Sequence, residues 1–272
     1  MLVGMAAAYP GIGGGRGMFR VQNALVQDDA GLTIGLHIVG RNPKFAGSTE
    51  KAWLADAVAP ELNYAPLATK WVGAELFASW GAIVQYPDVA AGSDIVWGTH
   101  DLRAGAKLSI PFIPVLKLGG MASYTFIDRE DKGFLDPGAM PPCADNFGWM
   151  GLATLQFQDL SASLPNVMVN YGETECGTVY GAGVELVASG FALFAEARSL
   201  QPEGSSGFLD TDTGEIRLTP GVAFGTGTSG VTLKAGYTFG FNAPNEAVLG
   251  IVIATPFGKR TPPQFGTIAA KV

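Results

Sequence analysis

The sequence has little charge, few histidines and cysteines, and no long hydrophobic run. Only 15% of its 272 residues are charged, although 47% are hydrophobic, whereas soluble domains carry about a quarter charged residues. No stretch of about 18 uninterrupted apolar residues occurs, which excludes a membrane-spanning helix. The net charge of −7 argues against a nucleic-acid partner, because the phosphate backbone favours basic surfaces. Neither CxxC nor a histidine-rich spacing occurs, so we expect no metal site and no cofactor.

What the sequence does contain is a series of segments in which apolar and polar residues alternate. In Leu32–Arg41 every second residue up to Ile38 is a leucine or isoleucine, and the residues between include threonine, glycine and histidine. Val231–Asn242 repeats the pattern, with aromatic residues towards its end. The polar face is small, glycine-rich and sparsely charged. A soluble sandwich places charge outside, so this pattern favours a membrane barrel with lipid outside and a polar lumen.

The alternation predicts an all-β fold, a closed antiparallel transmembrane β-barrel of about twelve strands, with fourteen as the alternative. We expect short periplasmic turns at one end and longer extracellular loops at the other. The segment Phe19–Val26 fits less well: it is a wall strand, part of a fourteen-strand barrel, or a segment in the lumen or periplasm. The predicted strands are residues 32–41, 61–66, 71–86, 97–111, 115–127, 147–158, 167–173, 180–188, 191–200, 215–225, 231–242 and 247–255.

Charged residues at inward positions predict a network in the lumen. Both signs occur, and neighbouring strands often carry opposite signs. Since a buried charge is costly unless it is paired, mixed signs favour a filled or narrow lumen over an open channel. The predicted members are Arg41, Glu75, Asp101, Arg103, Lys107, Lys117, Glu185, Glu196, Arg198, Glu215, Arg217 and Lys234.

Aromatic residues collect near the predicted strand ends, as in the two aromatic girdles of a membrane barrel. We expect Tyr64 and Trp71 near the short turns. The long-loop group is Tyr86, Trp97, Phe126, Trp149, Tyr171 and Phe241. A soluble core would instead scatter aromatic residues along the strands.

The alternation, the girdles and the loop asymmetry together resemble bacterial outer-membrane β-barrels. The segments GRGMFRVQNA and LNYAPLATKWVGAELFAS look like barrels of the OmpA-like type, which precede periplasmic domains. The short apolar piece that ends in Ala6–Ala8 predicts residues 1–17 as a signal-peptide remnant and glycine-rich lead, with an ordinary terminus as the alternative. We expect residues 18–258 to form the barrel and 259–272 a proline-rich linker. Gly266–Val272 is similar to the opening of carboxypeptidase-regulatory-like domains, which implies a following periplasmic domain; a disordered tail is the alternative.

Both cysteines, Cys143 and Cys176, lie in polar connecting segments. An even pair of this kind in an envelope protein favours a disulfide, with two free thiols as the alternative. His37 is assigned to the lumen, and His100 lies near Ser93 and Thr99 without a third orienting residue.

Three functions remain from the sequence. The first is a structural anchor or loop-display scaffold in the outer membrane. The second is a narrow diffusion pore for small solutes, with cations as one candidate class. The third is a lipid-modifying enzyme centred on His100, which the missing orienting residue disfavours, so we expect no enzymatic activity. The expected partners are outer-membrane lipid and a periplasmic domain or partner protein.

Overall fold

The computed structural model describes residues 18–26, 31–41, 53–86, 96–126, 147–161, 163–174, 177–188, 190–202, 214–225, 230–243 and 245–255. The side chains of residues 41, 53–59, 82–86, 96–101 and 255 are outside this description. In the described ranges, no helix is long and apolar enough to cross a membrane.

Twelve strands make up the wall. They are β1 (Leu32–Arg41), β2 (Trp53–Ala68), β3 (Gly73–Tyr86), β4 (Val96–Ile110), β5 (Leu116–Phe126), β6 (Phe147–Leu155), β7 (Asn166–Thr174), β8 (Gly177–Ala188), β9 (Phe191–Gln201), β10 (Glu215–Gly225), β11 (Val231–Phe241) and β12 (Glu246–Thr255). A 3-10 turn, Phe157–Asp159, follows β6.

The sheet closes on itself. Each strand pairs antiparallel with its neighbours in sequence, and β12 returns to pair with β1, so that Leu32 lies opposite Thr255. Closure pairs every strand on both sides and leaves no open edge. The predicted closed barrel of about twelve strands is therefore confirmed. The fourteen-strand alternative is wrong, because the wall is complete without residues 18–26.

Strand β2 is longer than the sequence pattern predicted. It begins at Trp53, not at residue 61, and continues through Pro60. Proline lacks an amide hydrogen and interrupts a regular ladder. Here the pairing with β3 shifts register between Val58 and Glu61, so that the irregularity absorbs the proline and the strand resumes. With 16, 14 and 15 residues, β2, β3 and β4 are the longest strands of the wall.

The wall is apolar outside and polar inside. Large apolar side chains are exposed on the outer face, for example Leu249 at 58% and Ile251 at 46%. Charged and polar side chains are buried on the inner face, including Glu75 at 1% and Lys107 at 0%. This arrangement reverses that of a soluble protein and matches a barrel with lipid around it.

The two ends of the barrel differ in their connections. At the end where β1 begins and β12 ends, which we call the short-connection end, strands are joined by residues 69–72, 111–115, 156–165, 189–190 and 226–230. At the opposite, long-connection end, they are joined by residues 42–52, 87–95, 127–146, 175–176, 202–214 and 242–245. The predicted alternation thus fails at 175–176 and 242–245, which are short, and at 156–165, whose ten residues exceed the nine of 87–95. Thr174 pairs directly with Gly177, whose φ of +130° suits the tight turn.

The predicted girdle residues that can be placed lie on the outer face near the two ends. Tyr64 and Trp71 lie towards the short-connection end. The exposed aromatic side chains towards the long-connection end are Phe126, Trp149, Tyr171 and Phe241. The rings of Trp149 and Tyr171 meet edge to face with centroids 5.9 Å apart. The side chains of Tyr86 and Trp97 are outside the description.

Candidate functional site: the barrel lumen

Residues 18–26, here called the luminal segment, lie inside the barrel. Met18, Phe19, Val21, Ala24 and Val26 are all buried, and Phe19 has no exposed surface. Of the placements that the sequence left open for Phe19–Val26, the structure selects the lumen. The segment lacks strict alternation because it contacts wall on several sides and does not separate lipid from water.

The backbone of the luminal segment is held by a wall carboxylate. The amide of Arg20 donates to both oxygens of Glu196, at 3.1 and 2.9 Å, and the amide of Val21 donates to one of them at 2.9 Å. Glu196 lies on β9 and is buried. A buried amide needs an acceptor, and the segment is not part of the ladder, so a side chain supplies it.

Further along the luminal segment, two polar side chains continue this recognition. Asn170 of β7 accepts from the Gln22 amide at 2.7 Å and donates from Nδ2 to the Gln22 carbonyl at 2.9 Å. Thr154 of β6 accepts from the Ala24 amide at 2.9 Å. Because Asn170 both accepts from and donates to the backbone of Gln22, it forms the same pair of hydrogen bonds that a neighbouring strand would form. Contacts from β6, β7 and β9 therefore hold the segment across the lumen.

The side chain of Arg20 enters a charged cluster. Its guanidinium forms an ion pair with Glu246 of β12 and donates to Thr238 Oγ1 at 3.1 Å. Glu246 also pairs with Arg217 of β10, which in turn donates to Glu215 at 2.9 Å. One buried carboxylate thus bridges two arginines, and charge-assisted bonds of this type are the strong ones.

Phe19 occupies an aromatic pocket lined by β1, β9 and β11. Its ring meets Phe194 edge to face at 5.4 Å and His37 at 6.0 Å. Lys234 Nζ lies 5.4 Å from the ring centroid and donates to the Met18 carbonyl at 3.0 Å. At Gly236 an added Cβ would lie 2.6 Å from the Phe19 ring, so glycine is required for this close approach.

A buried histidine–glutamate pair lies next to the Phe19 pocket. His37 Nδ1 of β1 lies 2.8 Å from Glu61 Oε2 of β2, and neither side chain has exposed surface. Gly250 makes room for the imidazole, because an added Cβ would lie 2.8 Å from Nε2. The pair joins the two strands next to the register shift between Gly35 and His37.

The structure distributes the predicted lumen residues over three settings. Glu185, Glu196 and Lys234 are buried in the lumen, and Glu75 and Lys107 are buried directly opposite each other on β3 and β4. Three predicted residues lie in the charged cluster around Arg20: Arg198, Glu215 and Arg217. Arg198 and Arg217 are directly opposite each other on β9 and β10. The other two predicted residues lie apart from this cluster. Arg103 donates to Ser123 Oγ at 2.8 Å, and Lys117 donates to the Pro114 carbonyl in a short connection. The side chains of Arg41 and Asp101 are outside the description.

Sequence reasoning missed three charged residues of this site. Glu61 and Glu246 occupy inward positions, and the two-residue period of β2 and β12 would have placed them there once the strand bounds were known. Arg20 carried no such signal, because the luminal segment belongs to no strand. Its partner lies 226 positions away in the sequence.

Several predictions fall on parts of the chain beyond the description. Cys143 and Cys176 are both outside the described residues, as are residues 1–17 and 259–272. The side chain of His100 is also outside. Among the described residues, no group of three or more histidine, cysteine, aspartate or glutamate side chains is placed to hold a metal ion.

Comparison with known proteins gives similarity in fold. No family model and no curated protein matches the sequence. Among solved structures, the translocator domain of autotransporter NalP from Neisseria meningitidis is similar with a TM-score of 0.51 and 12% identity, covering 85% of this chain and 89% of that one. An outer-membrane channel from Pseudomonas putida F1 has a TM-score of 0.49 and 15% identity, covering 84% and 98%. At these identities the likeness shows the barrel fold alone.

Proposed function

We propose that the protein is a bacterial outer-membrane β-barrel that acts as an anchor or loop-display scaffold, its lumen closed by its own luminal segment. The short-connection end then faces the periplasm and the long-connection end faces outward, as is usual for such barrels. Outer-membrane lipid is the partner of the wall.

The membrane assignment is supported by the reversed distribution of side chains. Lipid is the environment that makes an outer face of exposed leucine, isoleucine and phenylalanine favourable while glutamate and lysine are buried. The aromatic residues towards both ends of the outer face are positioned for the two membrane interfaces. The similarity in fold to outer-membrane barrels agrees with this assignment.

The closed lumen is supported by one observation above all: the luminal segment crosses the bore and is bound on several sides. Glu196, Asn170 and Thr154 hold its backbone from three strands, and Glu246 holds Arg20 from a fourth. A segment held in this way occupies the space that a diffusing solute would need. A scaffold needs only a stable wall, and an occupied lumen makes the wall more rigid.

Conductance in planar bilayers tests this proposal. We expect the intact protein to insert without stable open-channel steps. The double variant Arg20→Ala with Glu196→Ala removes both the side-chain and the backbone anchor of the luminal segment, so channel openings should become frequent. Ile251→Ala on the lipid-facing side is the matched control and should behave as the parent. Stable open channels from the intact protein, equal in size to those of the double variant, would overturn the closed-lumen proposal.

A narrow diffusion pore is the second candidate, and the polar lining of the wall favours it. Thr33, Asn63, Ser79, Ser109 and Ser123 lie on the inward faces of the wall, where their small hydroxyl and amide groups give the bore a polar lining. The same measurement separates the two candidates, because a pore conducts in the intact protein and a scaffold does so only after the segment is released.

A further inference from the structure

We propose that the barrel lumen is a sequence-selective binding site for a peptide that is bent as residues 18–21 are, whose resident ligand is the chain's own luminal segment. The site selects an apolar and aromatic pair followed by an arginine, as in Met18–Arg20. This inference rests on the same occupied lumen that supports the proposed function, and adds to it that the contacts suffice for binding without a covalent link.

The first subsite takes the aromatic ring. Phe194 and His37 meet Phe19 edge to face, and Lys234 places a cation over its ring. Gly236 leaves the space that the ring occupies. Edge-to-face rings and a cation over a ring face add to the energy of buried area. An aliphatic side chain in this position would lose those interactions and leave part of the pocket empty.

The second subsite takes the arginine. Glu246 and Thr238 line it, and both are buried. Arginine presents several donors in a fixed planar arrangement, so it can bind the carboxylate and the hydroxyl together, as a lysine cannot with the same geometry. Arg217 pairs with the other oxygen of Glu246 and so holds the carboxylate in place.

The remaining contacts recognise backbone and small size. Glu196, Asn170 and Thr154 bind the amides or carbonyl of residues 20–24 without reading their side chains. Glycines on the wall make room for the segment. A Cβ added at Gly183 would lie 2.8 Å from Met18, and one added at Gly119 would lie 3.0 Å from Ala24. At Gly181 the distance to Val21 would be 3.3 Å. The lumen is therefore shaped for a bent chain with side chains of moderate size.

Cutting the chain after folding tests the proposal. A flexible glycine–serine insertion that carries a protease site is placed in residues 27–30 of the full-length protein, which is folded in detergent and then cleaved. We expect the released N-terminal fragment to remain with the barrel through repeated washing, as measured by mass spectrometry. It should exchange slowly with a labelled synthetic peptide of residues 18–26.

Peptide variants then test selectivity. Arg20→Ala and Phe19→Ala peptides should bind at least about tenfold more weakly, because each loses charge-assisted or ring contacts. A Leu25→Ala peptide is the matched control, since Leu25 is only half-buried, and should bind nearly as well as the parent. In a barrel with Thr238→Ala or Glu246→Gln, the loss caused by Arg20→Ala should shrink. Equal binding of a scrambled peptide, or loss of the fragment from a barrel that stays folded, would overturn the proposal.

These outcomes are distinct from failure of the proposed function. Open channels from the uncleaved protein would contradict the closed lumen whether or not the fragment is retained. Loss of the fragment after cleavage would contradict the peptide site even where the uncleaved protein does not conduct.

Discussion

Arg20 of the luminal segment is ion-paired with Glu246 at the start of β12, and 226 positions of sequence separate the two. Glu246 also pairs with Arg217, so one buried carboxylate ties the segment to two wall strands. The luminal segment therefore supplies one of the positive charges that balance the buried glutamates of the lumen. Removal of the segment would remove that charge.

Substitution of Arg20 by alanine should loosen the luminal segment and destabilise the barrel. Loss of a charge-assisted bond at a buried site costs about 1.5–3 kcal/mol. Because Glu246 keeps Arg217, the loss should stay below that of Glu246→Ala, which removes an ion pair from both arginines. Urea unfolding in vesicles and hydrogen exchange of the segment amides measure both effects. An unchanged midpoint, with protection of the amides intact, would contradict the role of Arg20.

Enlargement of Gly236 should expel Phe19 from its pocket. An added Cβ would lie 2.6 Å from the ring and 3.1 Å from the backbone oxygen of Pro220, so Gly236→Ala allows little relaxation. We expect increased proteolysis of residues 18–26, and partial rescue when Phe19→Ala is added. Gly151→Ala is the matched control, because its added Cβ would meet only Tyr171 O at 3.6 Å. Failure of Phe19→Ala to rescue would show that the clash lies elsewhere.

A cation on the outer face should be destabilising only if that face meets lipid. Ile251 is exposed and lies opposite Leu36 and Leu233, in the apolar part of the wall. In vesicles, Ile251→Arg should cost about 2–4 kcal/mol, the range for a cation near the bilayer midplane. Measured unfolding of the variant and the parent gives the difference. Equal stability would argue for water at this face.

Removal of either member of the His37–Glu61 pair should destabilise the barrel, because the remaining side chain loses a 2.8 Å contact at a buried site. Each single change, His37→Phe or Glu61→Leu, should cost about 1–3 kcal/mol, since the buried polar group that remains loses one of its interactions. The double variant should cost less than the two together, and a double-mutant cycle measures that coupling. Strict additivity would mean that the 2.8 Å approach carries no interaction energy.

The disulfide between Cys143 and Cys176 stays a prediction. Both residues belong to connections at the long-connection end, and β5 to β8, which flank those connections, are consecutive neighbours in the wall. Without reductant, neither thiol should react with iodoacetamide, and mass spectrometry should show modification of both only after reduction. Modification of both thiols before reduction would contradict the bridge.

The wall was predictable from sequence because its signal is local. In a strand, successive side chains point to opposite faces. Because one face meets lipid and the other meets the lumen, apolar and polar residues alternate in Leu32–Arg41 and Val231–Phe241. This alternation is visible without knowledge of the partner strands. The same period identified Glu75 and Lys107 as inward residues before their opposite register was known. It was less informative where the period is disturbed, as at Pro60 in β2.

The contents of the lumen were decided only by the tertiary structure. The luminal segment has no period, because its environment is set by contacts with β6, β7, β9 and β12 on several sides. Its partners, such as Glu246 for Arg20, become neighbours only when the barrel closes and brings distant strands around a common axis. By itself the sequence determined that this chain separates an apolar exterior from a polar interior, since apolar and polar residues alternate along the individual strands. What fills the interior depends on closure, which no single strand encodes.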